Sequence, residues 1–284
     1  MIRKLIIKTL ATSVILSVNT WYSELVTNEN KILVSDILKK WNQTIKNFKK
    51  AKKILYKTIY KNDENKKTIY CSCDFKNRNS VSLSSCNLSS LKNIERANRI
   101  EVEHIVPVQS FGRSFKSYRD GDESCINTQW KSYKWRRCAK KVSPDFKLME
   151  SDLYNLYPAN WYVNQVRLNY SMWMIDWNDF RIWKKKSSCE IEIDSKIRKI
   201  EPRNKIKWDI ARVYKYMNLN YPNKWIISKK NKKLLEYWSN LDPISKEECR
   251  RFFLIKKIQK NINQILSKTC ETEFKAQKKE VKTP

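Results

Sequence analysis

Hydrophobic residues follow a helical rhythm near both ends of the chain. From Ser23 to Tyr60, apolar side chains recur every three or four positions among lysines, which predicts one or two amphipathic helices. The same spacing predicts helices in the C-terminal part of the chain, over Asp209 to Met217, Lys232 to Trp238 and Lys246 to Leu266.

Strand-like patterns occupy the region that follows the first helices. Thr68 to Tyr70 and Val81 to Leu83 are short β-prone pieces that Asn and Ser residues separate. Arg99 to Pro107 alternates polar and β-branched residues. This alternation predicts a strand that ends at the proline.

Two segments after this strand differ from it. Residues from Gln109 to Asp145 are polar and aromatic and include both glycines, which predicts a long functional loop. Ser151-Asp152 then offers an N-cap for a helix that extends toward Asn169 and bends or restarts at Pro158. Because no internal repeat or low-complexity linker interrupts the chain, we expect residues 21–284 to form one domain of mixed α and β structure.

The N-terminus has the pattern of a secretory leader. Met1 to Lys4 carries positive charge and precedes an apolar stretch from Leu5 to Val18, which is shorter than the roughly 20 residues of a membrane span. We therefore expect residues 1–20 to be a signal peptide. An ordinary N-terminal helix is the alternative, because the stretch has no clear Ala-x-Ala cleavage site.

The charge balance favours a polyanionic partner. The chain has 59 Lys and Arg against 29 Asp and Glu, a formal net charge of +30, which attracts nucleic acids and acidic membranes. An AT-rich genome also produces lysine-rich proteins, so charge alone does not establish nucleic-acid binding.

An even number of cysteines follows the leader. They are Cys71, Cys73, Cys86, Cys125, Cys138, Cys189, Cys249 and Cys270. In an exported chain these residues predict disulfides, although the sequence does not choose the pairing. Structural zinc is the alternative, but the only close pair has one residue between its cysteines, whereas zinc sites use wider spacings.

The single histidine is the first candidate for chemistry. His104 ends the predicted strand and directly follows Glu103, with Glu101 two positions earlier. Lone histidines are commonly structural, but one beside carboxylates in a basic chain can also act as a general base. Since successive strand side chains point to opposite faces, Glu103 and His104 need a twisted strand end to share one site.

Several groups of residues resemble one known family. In chain order they are Tyr70-Cys71-Ser72-Cys73, Arg96 to Pro107 with Phe111-Gly112, Met149 to Pro158 with Val163-Asn164 and Arg167, Glu201-Pro202 with Ile210 to Tyr214, and Glu248-Cys249-Arg250 with Lys257 to Gln259. This order, over roughly residues 50 to 270, is similar to the endonuclease I family of bacterial periplasmic and secreted nucleases.

The resemblance implies a fold and a site. The fold is α+β, mostly helical, around a ββα-metal (His-Me finger) motif in which a hairpin carries the histidine and a helix packed across it supplies a metal ligand. By resemblance, His104 is the general base, and Glu103 and Asn155 bind Mg²⁺ or a similar hard divalent cation. Carboxylate and amide oxygens suit such a cation. The implied enzyme is a monomer in the periplasm or outside the cell that cuts DNA and RNA with little regard to sequence and leaves 5′-phosphates.

The chain departs from the family pattern at several positions. Tyr154 stands where family members carry histidine, and Val102 where they carry tryptophan. Trp208 and Lys260 replace glycines, and such a loss changes the backbone wherever a positive φ is needed. These departures leave the implied base and both implied ligands in place.

The implied phosphate-binding arginine is also missing from its usual position. The chain has Asp122-Glu123 there, and Arg113 and Arg119 are the nearest substitutes, unless they only face solvent. The segment from Trp130 to Arg137 interleaves aromatic and basic residues. It could stack on bases and contact phosphates, or its tryptophans could pack the loop.

Two other functions remain open from the sequence. One is a non-catalytic nucleic-acid-binding descendant of a nuclease, against which the retained Glu103, His104 and Asn155 argue. The other is a cationic protein acting at membranes, which needs no metal. A glycosidase using Glu101 and Glu103 has little support, because neighbouring carboxylates are common.

Overall fold

The computed structural model describes residues 41–61, 66–175 and 189–280. The predicted signal peptide and the first part of the predicted N-terminal helices lie outside these residues. Within them, short helices and small sheets surround a connected hydrophobic core. The architecture is therefore of the mixed α+β class that the sequence predicts.

The first described helix, α1 (Phe48–Ile54), begins later than the hydrophobic spacing predicts. The Asn42 side chain accepts hydrogen bonds from the backbone N–H groups of Thr44 and Ile45, at 3.2 and 3.0 Å. Such local bonds hold the backbone in a turn and compete with helix formation. Asn47 then caps α1 with its side chain.

The strands in the described ranges form three small sheets. β1 (Asp74–Asn77) and β2 (Ser80–Ser82) make an antiparallel hairpin. β3 (Ile100–His104) pairs antiparallel with β4 (Leu156–Asn160). In the third sheet β7 (Lys199–Glu201) lies between β5 (Ser171–Met172) and β6 (Glu192–Asp194).

β2 and β3 confirm two of the predicted strands. Thr68 to Tyr70 is a turn, contrary to the prediction. The Ser72 N–H donates to the Thr68 carbonyl at 2.9 Å, and Ser72 has a φ of 56°. This tight turn places Tyr70 and the cysteines on either side of Ser72 in the core.

The predicted long loop is wrong, because it contains four helices. They are α2 (Val108–Gly112), α3 (Lys116–Arg119), α4 (Trp135–Val142) and α5 (Pro144–Glu150). Aromatic side chains from these helices pack together, with Phe146 contacting Phe111 and Phe115. Gly112 allows this packing, since a Cβ there would lie 2.6 Å from the Tyr118 ring.

The predicted helix from Ser151 to Asn169 is also wrong in its first half. Asp152 caps only one 3-10 turn, Leu153–Asn155, and the chain then extends as β4 before α6 (Trp161–Arg167) begins. β4 pairs with β3 along its whole length, and the Pro158 carbonyl accepts a hydrogen bond from Ile69 at 2.9 Å. Long-range pairing therefore overrides the local helical signal.

From Lys207 to Glu280 the chain is mostly helical, and the sequence predicted the first three of its four helices. Its helices are α7 (Lys207–Asn220), α8 (Lys229–Ser239), α9 (Lys246–Gln259) and α10 (Ser267–Glu280). The predicted helix from Lys246 to Leu266 ends at Gln259 because Lys260 adopts a left-handed φ of 63°. Lys260 thus keeps a conformation that glycine adopts more easily, whereas Trp208 lies within α7.

All eight cysteines form disulfides, as predicted. The pairs are Cys71–Cys189, Cys73–Cys86, Cys125–Cys138 and Cys249–Cys270. Cys71–Cys189 joins residues 118 positions apart and ties the third sheet to the turn that carries Tyr70. Among the described helices, none is both long and apolar enough to span a bilayer.

Candidate active site

A cleft of about 380 Å³ opens at the end of β3. We call one part of its lining the carboxylate wall, which consists of Glu101 and Glu103 from β3 and Asn164 and Arg167 from α6. Another part is the cation wall, which consists of Phe48, Lys52, Tyr56, Arg78 and Arg136. His104 also lines the cleft, so the strand end presents it together with Glu103.

The His104 imidazole is buried and fixed on two sides. Its ring stacks on Phe48 with the centroids 4.9 Å apart, and its Nε2 lies 2.8 Å from the Glu150 carbonyl oxygen. A carbonyl only accepts hydrogen bonds, so Nε2 carries the proton and Nδ1 keeps the lone pair. Burial, aided by the Arg136 charge, lowers the His104 pKa to about 3. The imidazole is therefore neutral at physiological pH and can accept a proton.

Glu103 is a buried carboxylate held through one oxygen. Its Oε1 accepts a hydrogen bond from the Tyr70 hydroxyl at 2.7 Å and lies 3.0 Å from Arg167 Nε. Arg167 is itself buried and donates to the carbonyls of Ile105 and Leu168, both at 2.8 Å. Burial outweighs the Arg167 charge and raises the Glu103 pKa to about 6. Glu103 is thus ionised at neutral pH and paired with Arg167.

Glu101 and Asn164 extend the carboxylate wall. Glu101 and Glu103 are two positions apart on β3 and therefore face the same side of the strand. The Asn164 Nδ2 donates a hydrogen bond to Glu101 Oε1, which fixes which end of the amide is the oxygen. Burial raises the Glu101 pKa. The carboxylate wall thus brings carboxylate and amide groups together in the cleft lining.

Asn155 lies close to β3 but is not among the residues that line the cleft. Its Oδ1 accepts a hydrogen bond from the Val106 N–H at 2.7 Å, and its Nδ2 donates to the Val106 carbonyl at 3.0 Å. The side chain is fully buried. Both ends of this amide therefore hold the bend after His104, and its binding of a metal stays a prediction.

Arg113 and Arg119 also lie outside the cleft lining. The Arg119 Nη1 donates to the Arg113 carbonyl at 2.8 Å, and its Nη2 lies 3.6 Å from Asp120. Arg136, in the first turn of α4, lines the cleft instead. Its Nε donates to the Glu150 carboxylate, and its Cζ lies 5.0 Å from the Phe48 ring centroid. Glu150 thus contacts both Arg136 and His104.

The sequence reasoning missed Phe48, Lys52 and Arg78, and it included Arg136 only as part of a basic and aromatic segment. In that segment, Trp130 is 87% exposed, so its ring does not pack the loop, whereas Trp135 contacts Tyr118 edge to face at 5.7 Å. No local pattern distinguishes Phe48 from the other apolar residues of its helix. Only the tertiary contact with His104 identifies it.

A metal site here would have few protein ligands. In the described ranges, no group of three or more His, Cys, Asp or Glu side chains could hold a metal ion. Glu103 with one amide oxygen is the type of sparse, hard-oxygen set that Mg²⁺ accepts when water and phosphate complete its coordination.

Comparisons with known proteins identify a family. The family model described as Endonuclease I matches residues 44–270, a range that contains every cleft residue and all eight cysteines. The chain is 35% identical over 231 residues to Endonuclease-1 of Buchnera aphidicola subsp. Acyrthosiphon pisum (strain APS), covering 80% of this chain and 83% of the relative. It is 32% identical over 208 residues to an extracellular deoxyribonuclease of Aeromonas hydrophila, covering 72% and 82%. A periplasmic deoxyribonuclease of the same organism is 31% identical over 208 residues, covering 72% and 79%.

Proposed function

Because the chain belongs to the endonuclease I family, we propose that it is a metal-dependent nuclease that hydrolyses phosphodiester bonds of DNA and RNA with little regard to sequence. The observation that carries this proposal is the neutral His104 and the buried, ionised Glu103 in one cleft. We expect no base-specific reading, since no residue set at the cleft suggests contacts to base edges.

Glu103 and Asn164 are the residues that we propose to hold the cation. Both side-chain donors to Glu103 contact Oε1, and Asn164 has its amide nitrogen on Glu101. Asn164 replaces Asn155 in this proposal because it lines the cleft, whereas the Asn155 amide is bonded at both ends to Val106. These hairpin and helix residues would together form the ββα-metal motif. A bound divalent cation would stabilise charge on the phosphate and on the leaving oxygen.

His104 supplies the base. With Nε2–H held by the Glu150 carbonyl, Nδ1 is the atom that can take a proton from water. That water then attacks phosphorus, the 3′ oxygen leaves, and the product has a 5′-phosphate. Stacking on Phe48 keeps the ring oriented, and burial keeps it neutral until the proton arrives.

Arg136, rather than Arg113 or Arg119, is suited to bind the scissile phosphate. It lines the cleft next to Phe48, on which His104 stacks, and its ion pair with Glu150 orients the guanidinium. A fixed guanidinium with free N–H groups recognises phosphate oxygens well. Glu150 thus positions both the base, through its carbonyl, and the phosphate-binding cation, through its carboxylate.

The compartment follows from the disulfides and the relatives. Four disulfides require an oxidising environment, and relatives are named extracellular and periplasmic deoxyribonucleases. We propose that the protein acts in the periplasm or outside the cell, as a monomer.

Digestion of supercoiled plasmid by the purified, oxidised protein tests the proposal. We expect nicking and linearisation with Mg²⁺, loss of cutting with EDTA, and recovery when Mg²⁺ is added back. Binding of DNA without any cutting would favour a catalytically inactive descendant. Lysis of vesicles that is unchanged by EDTA would favour the membrane-active alternative.

A further inference from the structure

The cation wall has a second cluster beyond the residues that contact His104. Lys52 and Tyr56 follow Phe48 at four-residue intervals, and Tyr56 lies in the π-helical turn Leu55–Ile59 that continues α1. By helix geometry the Tyr56 backbone lies roughly 12 Å beyond Phe48 along the axis, whereas the Lys52 Nζ lies 5.2 Å from the Phe48 ring centroid. Along the helix, Tyr56 is therefore the member farthest from His104, and Lys52 lies between them.

Arg78 joins this cluster from the turn between β1 and β2. Its carbonyl accepts a hydrogen bond from Ile100 N–H at 2.9 Å, which docks the hairpin against the start of β3. Its guanidinium carbon lies 5.7 Å from the centre of the Tyr56 ring. Backbone pairing and ring contact together hold the Arg78 charge at the cleft.

The cluster has an excess of positive charge. Burial and the nearby charges of Arg78, Arg136 and Lys140 lower the Lys52 pKa, and only Glu101 opposes them. Arg136 and Lys140 share the Glu150 carboxylate. In the described part of the chain, neither Lys52 nor Arg78 has a carboxylate within ion-pair distance. Such a gathering of like charges favours an anionic ligand.

The Tyr56 hydroxyl also supports binding of an anion. Tyr56 lines the cleft, yet its oxygen is buried and has no hydrogen-bond partner among the described residues. Buried polar groups nearly always have a partner. An anionic oxygen beside Lys52 and Arg78 would accept this hydrogen bond and neutralise the excess charge at the same time.

We propose that Tyr56 and Arg78 bind the phosphate that neighbours the scissile one, with Lys52 between the two phosphates, so that the enzyme prefers a diester with a flanking phosphate over an isolated diester. This inference rests on the proposed nuclease function and specifies its substrate: a strand of at least two phosphates.

Short thymidine substrates test this preference directly. The dinucleotide TpT has one diester, whereas pTpT and TpTp add one phosphate on either side. We expect kcat/KM of the wild-type protein to be about tenfold higher for one of the two phosphorylated dinucleotides than for TpT, the size of one charge-assisted contact. Tyr56→Phe should reduce this ratio several-fold, and Arg78→Gln should bring it close to one.

Lys53→Ala is the matched control, because Lys53 is an exposed lysine of the same helix that does not line the cleft. It should leave the ratio unchanged. Equal losses on all three substrates in the Tyr56 and Arg78 variants would indicate a structural effect and overturn the proposal. A wild-type protein that does not distinguish the three substrates would do the same.

Binding measured in EDTA separates this inference from the nuclease proposal. With fluorescently labelled TpT, pTpT and TpTp in EDTA, where no turnover occurs, the wild-type protein should bind the dinucleotide with the flanking phosphate more tightly than TpT. The Arg78→Gln protein should lose this order of affinities. Retention of that order in a protein that cannot cut plasmid would contradict the nuclease function alone. An equal affinity of the wild-type protein for all three would contradict the flanking-phosphate site alone.

Discussion

The two walls of the cleft differ in how fully their polar groups are paired. On the carboxylate wall, Glu103 and Arg167 are buried and bonded to each other, to Tyr70 and to backbone carbonyls. On the cation wall, Lys52 and Arg78 lack carboxylate partners among the described residues, and the Tyr56 hydroxyl has no hydrogen bond. A pre-organised wall suits groups that must be placed accurately for chemistry. An under-compensated wall suits binding of a polyanion.

This difference predicts that changes at the strand end abolish turnover and spare binding. His104→Ala should reduce plasmid cleavage at least ~10²-fold, because general-base catalysis commonly contributes that much. Affinity for DNA, measured by fluorescence anisotropy in EDTA, should stay within about twofold, since many lysines and arginines carry it. Near-normal cutting by this variant would remove His104 from the mechanism.

Variants of two asparagines test which amide binds the metal. Asn164→Ala should lower cleavage roughly 10- to 100-fold at limiting Mg²⁺, with partial recovery at high Mg²⁺, because it removes a proposed ligand. Asn155→Ala should instead lower the free energy of unfolding by about 1–3 kcal/mol, because it leaves the Val106 backbone groups unpaired.

Cleavage titrated with Mg²⁺ and unfolding followed in urea distinguish the two variants. If Asn155→Ala showed the Mg²⁺-dependent defect and Asn164→Ala only the loss of stability, the ligand predicted from the sequence would be correct and our proposal wrong.

The smallest expected effect is a dependence of Mg²⁺ affinity on pH. The Glu103 pKa is raised to about 6 by burial, so the carboxylate is charged above that pH and protonated below it. Protons and Mg²⁺ then compete for it. The Mg²⁺ concentration for half-maximal cleavage should be constant above about pH 7 and rise up to about tenfold per unit below pH 6.

His104, with a pKa lowered to about 3, stays neutral over this range and contributes no acid limb of its own. Rates measured from pH 5 to 8 at limiting and saturating Mg²⁺ check this prediction. An acid limb at the same pH for both Mg²⁺ concentrations would contradict it.

The amino-acid sequence determined the parts of this protein that depend on local pattern and composition. It predicted β3, the helices α7, α8 and α9, the disulfide bonding of every cysteine, and His104 beside Glu103 at a strand end. The motif order also identified the family. Each of these follows from neighbours in the chain or from residue counts, which a single sequence contains.

Tertiary structure decided which side chains meet. Leu156 to Asn160 forms a strand because it pairs with β3, although its local sequence pattern favours a helix. The same pairing directed the Asn155 amide to Val106 and brought Asn164 to the cleft. Phe48, Arg78 and Arg136 reach the cleft from separate elements of the chain. Their convergence depends on long-range packing and strand register, which no local hydrophobic period encodes.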